Sequence, residues 1–191
     1  MVGPGDAILR IIFLDIDGVL NSTRSFCAVI RKNWTNYTER IVASQDPIAT
    51  RMIERLAQET NSDIVLTSSQ RKPFFTGKAE RLCNEKGERF VRWEHNLNEL
   101  HAHMQMLGFL NVEKFISCTP DFGGEIRGVE IREWLARCNE VIDSYVIIDD
   151  DRDFLPEQMN NFVHSSNTNG FSFENFQASV KILTKGETKD A

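Results

Sequence analysis

Short apolar segments of this chain are followed by acidic or hydroxyl side chains. A nearly unbroken apolar run, Ile8–Leu14, leads into Asp15-Ile16-Asp17-Gly18. Residues 64–66 lead into Thr67, and residues 145–148 lead into Asp149. Such runs are typical of strands buried on both faces of a parallel sheet. The pattern therefore predicts an α/β protein whose reactive groups follow its strands.

Helical patterns separate these runs. Asp46 and Pro47 predict an N-cap and a first helical residue, followed by apolar residues at helical spacing. Apolar residues mark further helices within 97–107, which Gly108 ends, within 131–138, in a helix that Arg127 opens, and within 173–183. Further strands are expected at 112–118 and 162–163. Strand–helix alternation predicts a doubly wound, Rossmann-like parallel sheet of about five strands with helices on both faces.

Length and composition suit one globular domain. The 191 residues are 41% hydrophobic and carry a net charge of -6. We expect a single domain over 1–191 with its core at 8–184 and a polar tail at 185–191. The acidic balance disfavours an indiscriminate nucleic-acid binder.

The sequence lacks several features that mark membrane, secreted or disulfide-bonded proteins. No apolar run approaches the roughly 20 residues that span a bilayer. The first residues lack a basic segment followed by a long apolar stretch, so we expect no signal peptide, no membrane partner and a cytoplasmic location. The four cysteines form no CxxC pair, which leaves a zinc site or a disulfide framework unsupported.

The acids after the strands predict a metal site. Ligands in doubly wound sheets bind beyond the carboxyl ends of the strands, where Asp15 and Asp17 would meet the acids within 149–153. Converging carboxylates repel one another unless a cation lies between them. Mg²⁺ prefers such hard oxygen ligands, often together with a substrate phosphate.

At these positions the sequence resembles the haloacid dehalogenase-like (HAD) phosphatase superfamily. The resemblance is carried by residues 12–20 (IFLDIDGVL), 64–68 (IVLTS) and 146–150 (VIIDD). A narrower resemblance is to the HAD domain associated with Swiss-Army-knife RNA-repair proteins. It rests on Ser68-Ser69-Gln70-Arg71, on residues 127–135 (RGVEIREWL) and on Asn169-Gly170-Phe171.

The resemblance implies a Mg²⁺-dependent phosphatase with an aspartyl-phosphate intermediate. It also implies a minimal cap, with residues 21–46 as a small flap after the first motif. Asp15 would be the nucleophile. Asp17 would be the general acid and base, and its backbone carbonyl a metal ligand. Phosphate would be bound by Thr67, Ser68 and Arg127, and Mg²⁺ by Asp15, Asp17, Asp149 and Asp150.

Two assignments stay open at this level. The family usually has Lys where Arg127 stands, and Lys114 is the alternative for that role. Asp151 and Asp153 follow the two predicted metal ligands so closely that the pattern alone does not exclude them.

The expected substrate is a nucleotide or a nucleic-acid end that carries a 3′- or 5′-phosphate. Residues 71–92 hold seven Lys or Arg against three Glu, which suggests a basic helix that would lead a polyanion to the site. Arg71, Lys72 and the flap residue Trp34 are the candidate substrate contacts. A small-metabolite phosphatase and a catalytically silent phosphate- or partner-binding module are the alternatives.

Overall fold

The computed structural model describes residues 8–29, 37–74, 80–83, 89–92 and 95–185. The strands are β1 Ile8–Leu14, β2 Asp63–Leu66, β3 Glu80–Cys83, β4 Arg89–Arg92, β5 Phe115–Cys118, β6 Val141–Asp149 and β7 Phe162–His164. The helices are α1 Thr23–Val29, α2 Tyr37–Ser44, α3 Pro47–Glu59, α4 Leu97–Met106, α5 Arg127–Arg137 and α6 Phe173–Leu183.

A five-stranded sheet forms the centre of the fold. Its strand order is β5-β2-β1-β6-β7, and every pair is parallel. Because β1 lies in the middle, its C-terminal end is flanked by the ends of β2 and β6. The predicted doubly wound α/β sheet is confirmed.

Alternate side chains of β1 enter two apolar cores. Ile12 and Leu14 pack in the core that also contains residues of α3, α4 and α6. Ile11 and Phe13 pack in the core on the other face, together with Ile131 and Trp134 of α5. Every one of these four β1 side chains is fully buried, which explains the unbroken apolar run in the sequence.

Local sequence signals fix the ends of several elements. The Asp46 side chain accepts hydrogen bonds from the backbone N–H groups of Ile48 (2.8 Å) and Ala49 (3.4 Å) at the start of α3. Gly108 has a φ of +94° just after α4, in the left-handed region that glycine adopts at low cost. The predicted starts and stops at these positions are confirmed.

The structure differs from the sequence prediction in three places. Residues 112–114 form a 3₁₀ turn, so β5 begins later than expected, at Phe115. Strand β6 begins earlier, at Val141. The expected basic helix within 71–92 is wrong, because β3 and β4 form an antiparallel pair there. Charge counts do not distinguish helix from strand, whereas Phe90 and Val91 are residues that favour strands.

Helices α1 and α2 occupy most of the expected flap. Residues 30–36 between them, Trp34 included, lie outside the described residues, as does the polar tail after Lys185. None of the helices in the described ranges is long and apolar enough to cross a membrane.

Candidate active site

Backbone hydrogen bonds align the residues that follow the strands. The N–H of Asp15 donates to Ile148 O (3.0 Å), and the N–H of Thr67 donates to Leu14 O (2.9 Å). The ladder thus continues one residue beyond β1 and β2. Asp15, Thr67 and the last residue of β6, Asp149, therefore lie together at the carboxyl edge of the sheet.

Three carboxyl groups converge at this edge. Asp15, Asp149 and Asp150 each offer one oxygen, and these oxygens all lie within 4.8 Å of one another. Asp15 is 2% exposed and Asp149 is fully buried. Gly18 makes the approach of Asp150 possible, since a Cβ at that position would lie 2.2 Å from Asp150 Cγ.

The Arg127 guanidinium lies against two of these acids. Its Nη1 is 3.0 Å from Asp15 Oδ1 and also donates to Asp149. Lys114, the alternative from the sequence, contacts Asp63 Oδ1 (3.3 Å) at the first residue of β2, the opposite end of that strand from Thr67. Of the two candidates, only Arg127 is placed beside Asp15.

Burial disfavours the ionised forms of the acids. It raises the pKa of Asp15 well above its usual value and the neighbouring Asp149 raises it further, while Arg127 opposes the shift. Burial likewise raises the pKa of Asp149 to about 7, although Arg127 and the N–H of Asp151 lower it. Burial and then Asp151 raise the pKa of Asp150. A single guanidinium does not offset the cost of three carboxylates in this site.

The acid cluster fits a divalent cation of the Mg²⁺ type. Hard carboxylate oxygens are its preferred ligands, and three ionised carboxylates beside one guanidinium leave a net charge of -2. Asp15, Asp149 and Asp150 would hold the ion. The Asp17 side chain is not part of this cluster.

The two remaining acids of the run are placed differently. The Asp151 side chain is 70% exposed, with an oxygen 3.8 Å from Arg127 Nη2. Asp153 accepts a hydrogen bond from the backbone N–H of Arg127 (3.1 Å), which satisfies a donor at the start of α5. Both lie around Arg127 rather than in the cluster of three.

Two amide side chains hold the carboxyl group of Asp17. Its Oδ1 accepts hydrogen bonds from Asn21 Nδ2 (2.8 Å) and from Gln70 Nε2 (3.0 Å). The Gln70 Oε1 lies 3.4 Å from His103 Nε2. The sequence prediction missed both amides. Asn21 follows the acidic motif within one turn and could have been found from that spacing, whereas no local signal links Gln70 to Asp17.

Two hydroxyl groups that follow β2 and β5 have no hydrogen-bond partner among the described residues. They belong to Thr67, after β2, and to Thr119, whose N–H donates to Leu66 O (3.0 Å). Both residues are fully buried, and a buried polar atom without a partner is costly. A phosphate oxygen is a suitable acceptor for them. The sequence prediction included Thr67 but missed Thr119, although a hydroxyl after a strand was the available signal.

Ser68 and Arg71 organise the turn after β2. The Ser68 hydroxyl accepts from Gln70 N (3.3 Å). Arg71 is 4% exposed, and its guanidinium donates to the carbonyl oxygens of Thr67, Ser68, Thr119 and Pro120 and to Glu130. Protein acceptors therefore surround the Arg71 guanidinium, which lies away from the open surface where a substrate contact was expected.

The other two expected substrate contacts lie beyond what the structure describes. The backbone of Lys72 belongs to the 3₁₀ turn over 69–74, but its side chain is outside the described part of the chain, as is all of Trp34. Both residues stay predictions.

Comparison with protein families matches residues 11–176 to the model described as the HAD domain in Swiss Army Knife RNA repair proteins. No curated protein matches the chain. No solved structure matches it either.

Proposed function

The chain belongs to the family of HAD domains in Swiss Army Knife RNA repair proteins, and from that membership and its site we propose that it is a Mg²⁺-dependent phosphatase acting on a nucleotide or nucleic-acid terminal phosphate. The observation that carries the proposal is the meeting of Asp15, Asp149 and Asp150 at one edge of the sheet, with Asp17 held beside them by two amides.

Asp15 is the nucleophile in this proposal. One of its carboxylate oxygens attacks phosphorus while the bond from phosphorus to the substrate alcohol breaks, giving an aspartyl phosphate. Arg127, 3.0 Å from Asp15, favours the ionised carboxylate and offsets negative charge on the phosphoryl group. Burial excludes bulk water from this oxygen before substrate binds.

Asp17 moves the proton in both steps. It gives a proton to the departing alcohol oxygen, then takes one from the water that cleaves the acyl phosphate and releases phosphate and free Asp15. Asn21 and Gln70 both donate to Oδ1, so this oxygen serves as the acceptor and the transferable proton belongs on Oδ2. The amides thereby fix which oxygen faces the reaction.

The hydroxyls at the sheet edge bind phosphate oxygens in this proposal. The Thr67 hydroxyl, buried without a partner in the described residues, donates one hydrogen bond, with Ser68 beside it. A bound Mg²⁺ supplies charge neutralisation of the phosphoryl oxygens. Asp15, Asp149 and Asp150 are the side chains that would hold it.

A phosphate-release assay tests the proposal. The purified protein would be offered an aryl phosphate, nucleoside monophosphates and oligonucleotides with 3′- or 5′-phosphate, in Mg²⁺ or in EDTA. We expect release in Mg²⁺ only and its loss in Asp15→Asn, with Asp143→Asn as the matched exposed control. Full activity in Asp15→Asn would refute the catalytic assignment.

Substrate preference in the same assay separates the alternatives. Faster turnover of phosphorylated oligonucleotides or mononucleotides than of small sugar phosphates supports the nucleotide assignment. The reverse order would indicate a metabolite phosphatase, and no release from any substrate would indicate a silent module.

A further inference from the structure

A cavity beside Asp17 is lined by residues of α1, of α2 and of the turn that follows Asp17. Its volume is about 360 Å³, within the range of small-molecule sites. Helices α1 and α2, the turn after Asp17, and the segment after β7 form its walls. The lining residues used below are Asp17, Asp150, Thr23, Phe26, Arg40 and Asn167.

The two ends of this cavity differ in chemistry. Asp17 and Asp150 form the end that adjoins the acid cluster. At the wall made by α1 and α2, the Arg40 guanidinium lies over the Phe26 ring, with Cζ 5.2 Å from the ring centroid. This cation–π pair presents a flat, polarisable and positively charged surface. Guanidinium planes and aromatic rings are the surfaces on which nucleic-acid bases stack.

The wall formed by the segment after β7 is held to α1 by backbone and side-chain hydrogen bonds. The N–H of Thr23 donates to Asn167 O (2.8 Å), and the Thr23 hydroxyl donates to Asn167 Oδ1 (3.2 Å). Gly170 packs so closely on the turn that a Cβ there would lie 2.9 Å from Val19 O. The wall is therefore fixed to the turn that carries Asp17. Thr23 and Asn167 are exposed, so the rim lies at the protein surface.

Resting on the proposed phosphatase function, we infer that this cavity, the leaving-group pocket, binds the nucleoside from which the phosphate is removed, with the base against the Phe26–Arg40 pair. The alcohol that accepts a proton from Asp17 has to lie beside Asp17, and the cavity is what adjoins that carboxyl group. The exposed rim lets the rest of an oligonucleotide extend into solvent.

In this arrangement α1 and α2, rather than residues 71–92, recognise the substrate. Phe26 and Arg40 are then specificity-determining residues. Both lie in helical segments without a motif, so only the packing of α1 on α2 brings them together.

The test compares substrates that differ only in the base. Oligonucleotides with a 3′- or 5′-phosphate carry either adenine or no base at the phosphorylated nucleotide, and kcat/KM is measured at whichever end is hydrolysed. We expect the base to raise kcat/KM by about 5-fold to 150-fold, the range that stacking of one base is worth. In Phe26→Leu and in Arg40→Met this ratio should fall toward one.

Matched substitutions control for general damage. Phe173→Leu changes an exposed phenylalanine on α6, and Arg55→Met changes an exposed arginine on α3, so both should keep the wild-type ratio. Circular dichroism melting verifies that each variant is folded. If Arg40→Met does not fold, Arg40→Lys keeps the charge while removing the guanidinium plane, and should lower the ratio.

A binding measurement separates this inference from the proposed function. In the Asp15→Asn protein, a phosphorylated oligonucleotide ending in 2-aminopurine should lose fluorescence on binding, because the base stacks, and Phe26→Leu should reduce that loss. Absence of phosphatase activity together with Phe26-dependent quenching would refute the phosphatase function but support base binding in the leaving-group pocket. Hydrolysis without a base preference, or quenching unchanged by Phe26→Leu, would overturn the pocket.

Discussion

Arg71 and Glu130 form an ion pair in which each side chain is only 5% exposed. The pair joins the turn after β2 to α5, the helix that begins with Arg127. Glu130 also accepts from the N–H of Phe122 (3.2 Å), which links the segment before α5 to the same carboxylate. One buried contact therefore links the turn that carries Thr67 to the helix that begins with Arg127, the two residues proposed to bind phosphate.

Breaking the Arg71–Glu130 pair should destabilise the folded protein strongly. Arg71→Met leaves the Glu130 carboxylate buried without its partner and frees four carbonyl oxygens, so the free energy of unfolding should fall by about 3–5 kcal/mol. Urea denaturation measures the change. The exposed pair of Arg55 and Glu59 is the control, and Arg55→Met there should cost less than about 1 kcal/mol. Equal effects of the two substitutions would contradict the structural role of Arg71.

Removing the amide of Gln70 should slow proton transfer without weakening substrate binding. Gln70→Leu leaves one donor, Asn21, on Asp17 Oδ1, so kcat for a nucleotide should fall about 10-fold while KM changes little. An aryl phosphate, whose leaving group needs less protonation, should show a smaller loss. Gln58→Leu, at an exposed position of α3, is the matched control. A loss of the same size for both substrates would argue against positioning of the acid.

A methyl group at position 18 should disturb the acid cluster. In Gly18→Ala the φ of +76° becomes strained, and the new Cβ would overlap Asp150. We expect destabilisation of at least about 1–2 kcal/mol and loss of most of the Mg²⁺-induced rise in Tm. Gly108 has a similar φ of +94°, and no atom lies within 4 Å of where its Cβ would be. Gly108→Ala should therefore lower the free energy of unfolding only by the backbone strain. Retention of the full Mg²⁺ effect in Gly18→Ala would exclude Asp150 as a ligand.

The stability of the metal-free protein should depend on pH through Asp149. Its folded pKa of about 7 lies above the ordinary 3.8, so the folded state holds this proton more tightly than the unfolded state does. In EDTA the free energy of unfolding should therefore fall as pH rises from about 4 to about 7. Thermal melting across that interval measures the slope, and Asp149→Asn should reduce it.

Mg²⁺ should reverse this loss above neutral pH. At a concentration about 100-fold above its Kd the ion adds about 2.7 kcal/mol, which corresponds to a rise in Tm of roughly 5–10 °C for a chain of this size. The rise should shrink below pH 7, where a proton occupies Asp149 and competes with the ion. An equal rise at pH 5.5 and pH 8 would argue against carboxylate ligation.

The elements that the sequence predicted well are those with a strong local signal. Burial of β1 on both faces requires an apolar run, and the cap of α3 requires a side chain such as that of Asp46, so both are visible in the residues. Strands β3 and β4 are four residues each, too short for a clear period, and their charges suggested a helix instead. The local residue pattern therefore predicts an element reliably when that element is long or has a capping side chain.

In the candidate site, too, the residues with a strong local signal are the ones that the sequence predicts. Asp15 follows the buried strand β1 and Asp149 ends β6, so the apolar runs before them predict their positions. The partners that orient the site come from distant segments: Gln70 reaches Asp17, and Glu130 neutralises Arg71. Such contacts depend on the three-dimensional arrangement of loops, so only the structure reveals that Arg71 is a buried anchor.

The central position of β1 has a consequence for when the site comes into being. Asp15 directly follows the first strand and Asp149 ends the sixth, and the pairing of Ile8–Leu14 with residues of β6 brings them together. A ribosome-bound chain that has not yet exposed β6 carries Asp15, the proposed nucleophile, without Asp149 and Asp150. Because domains fold as they emerge, the cluster of three acids forms only once β6 has paired with β1, so an unfinished chain would lack the proposed metal site.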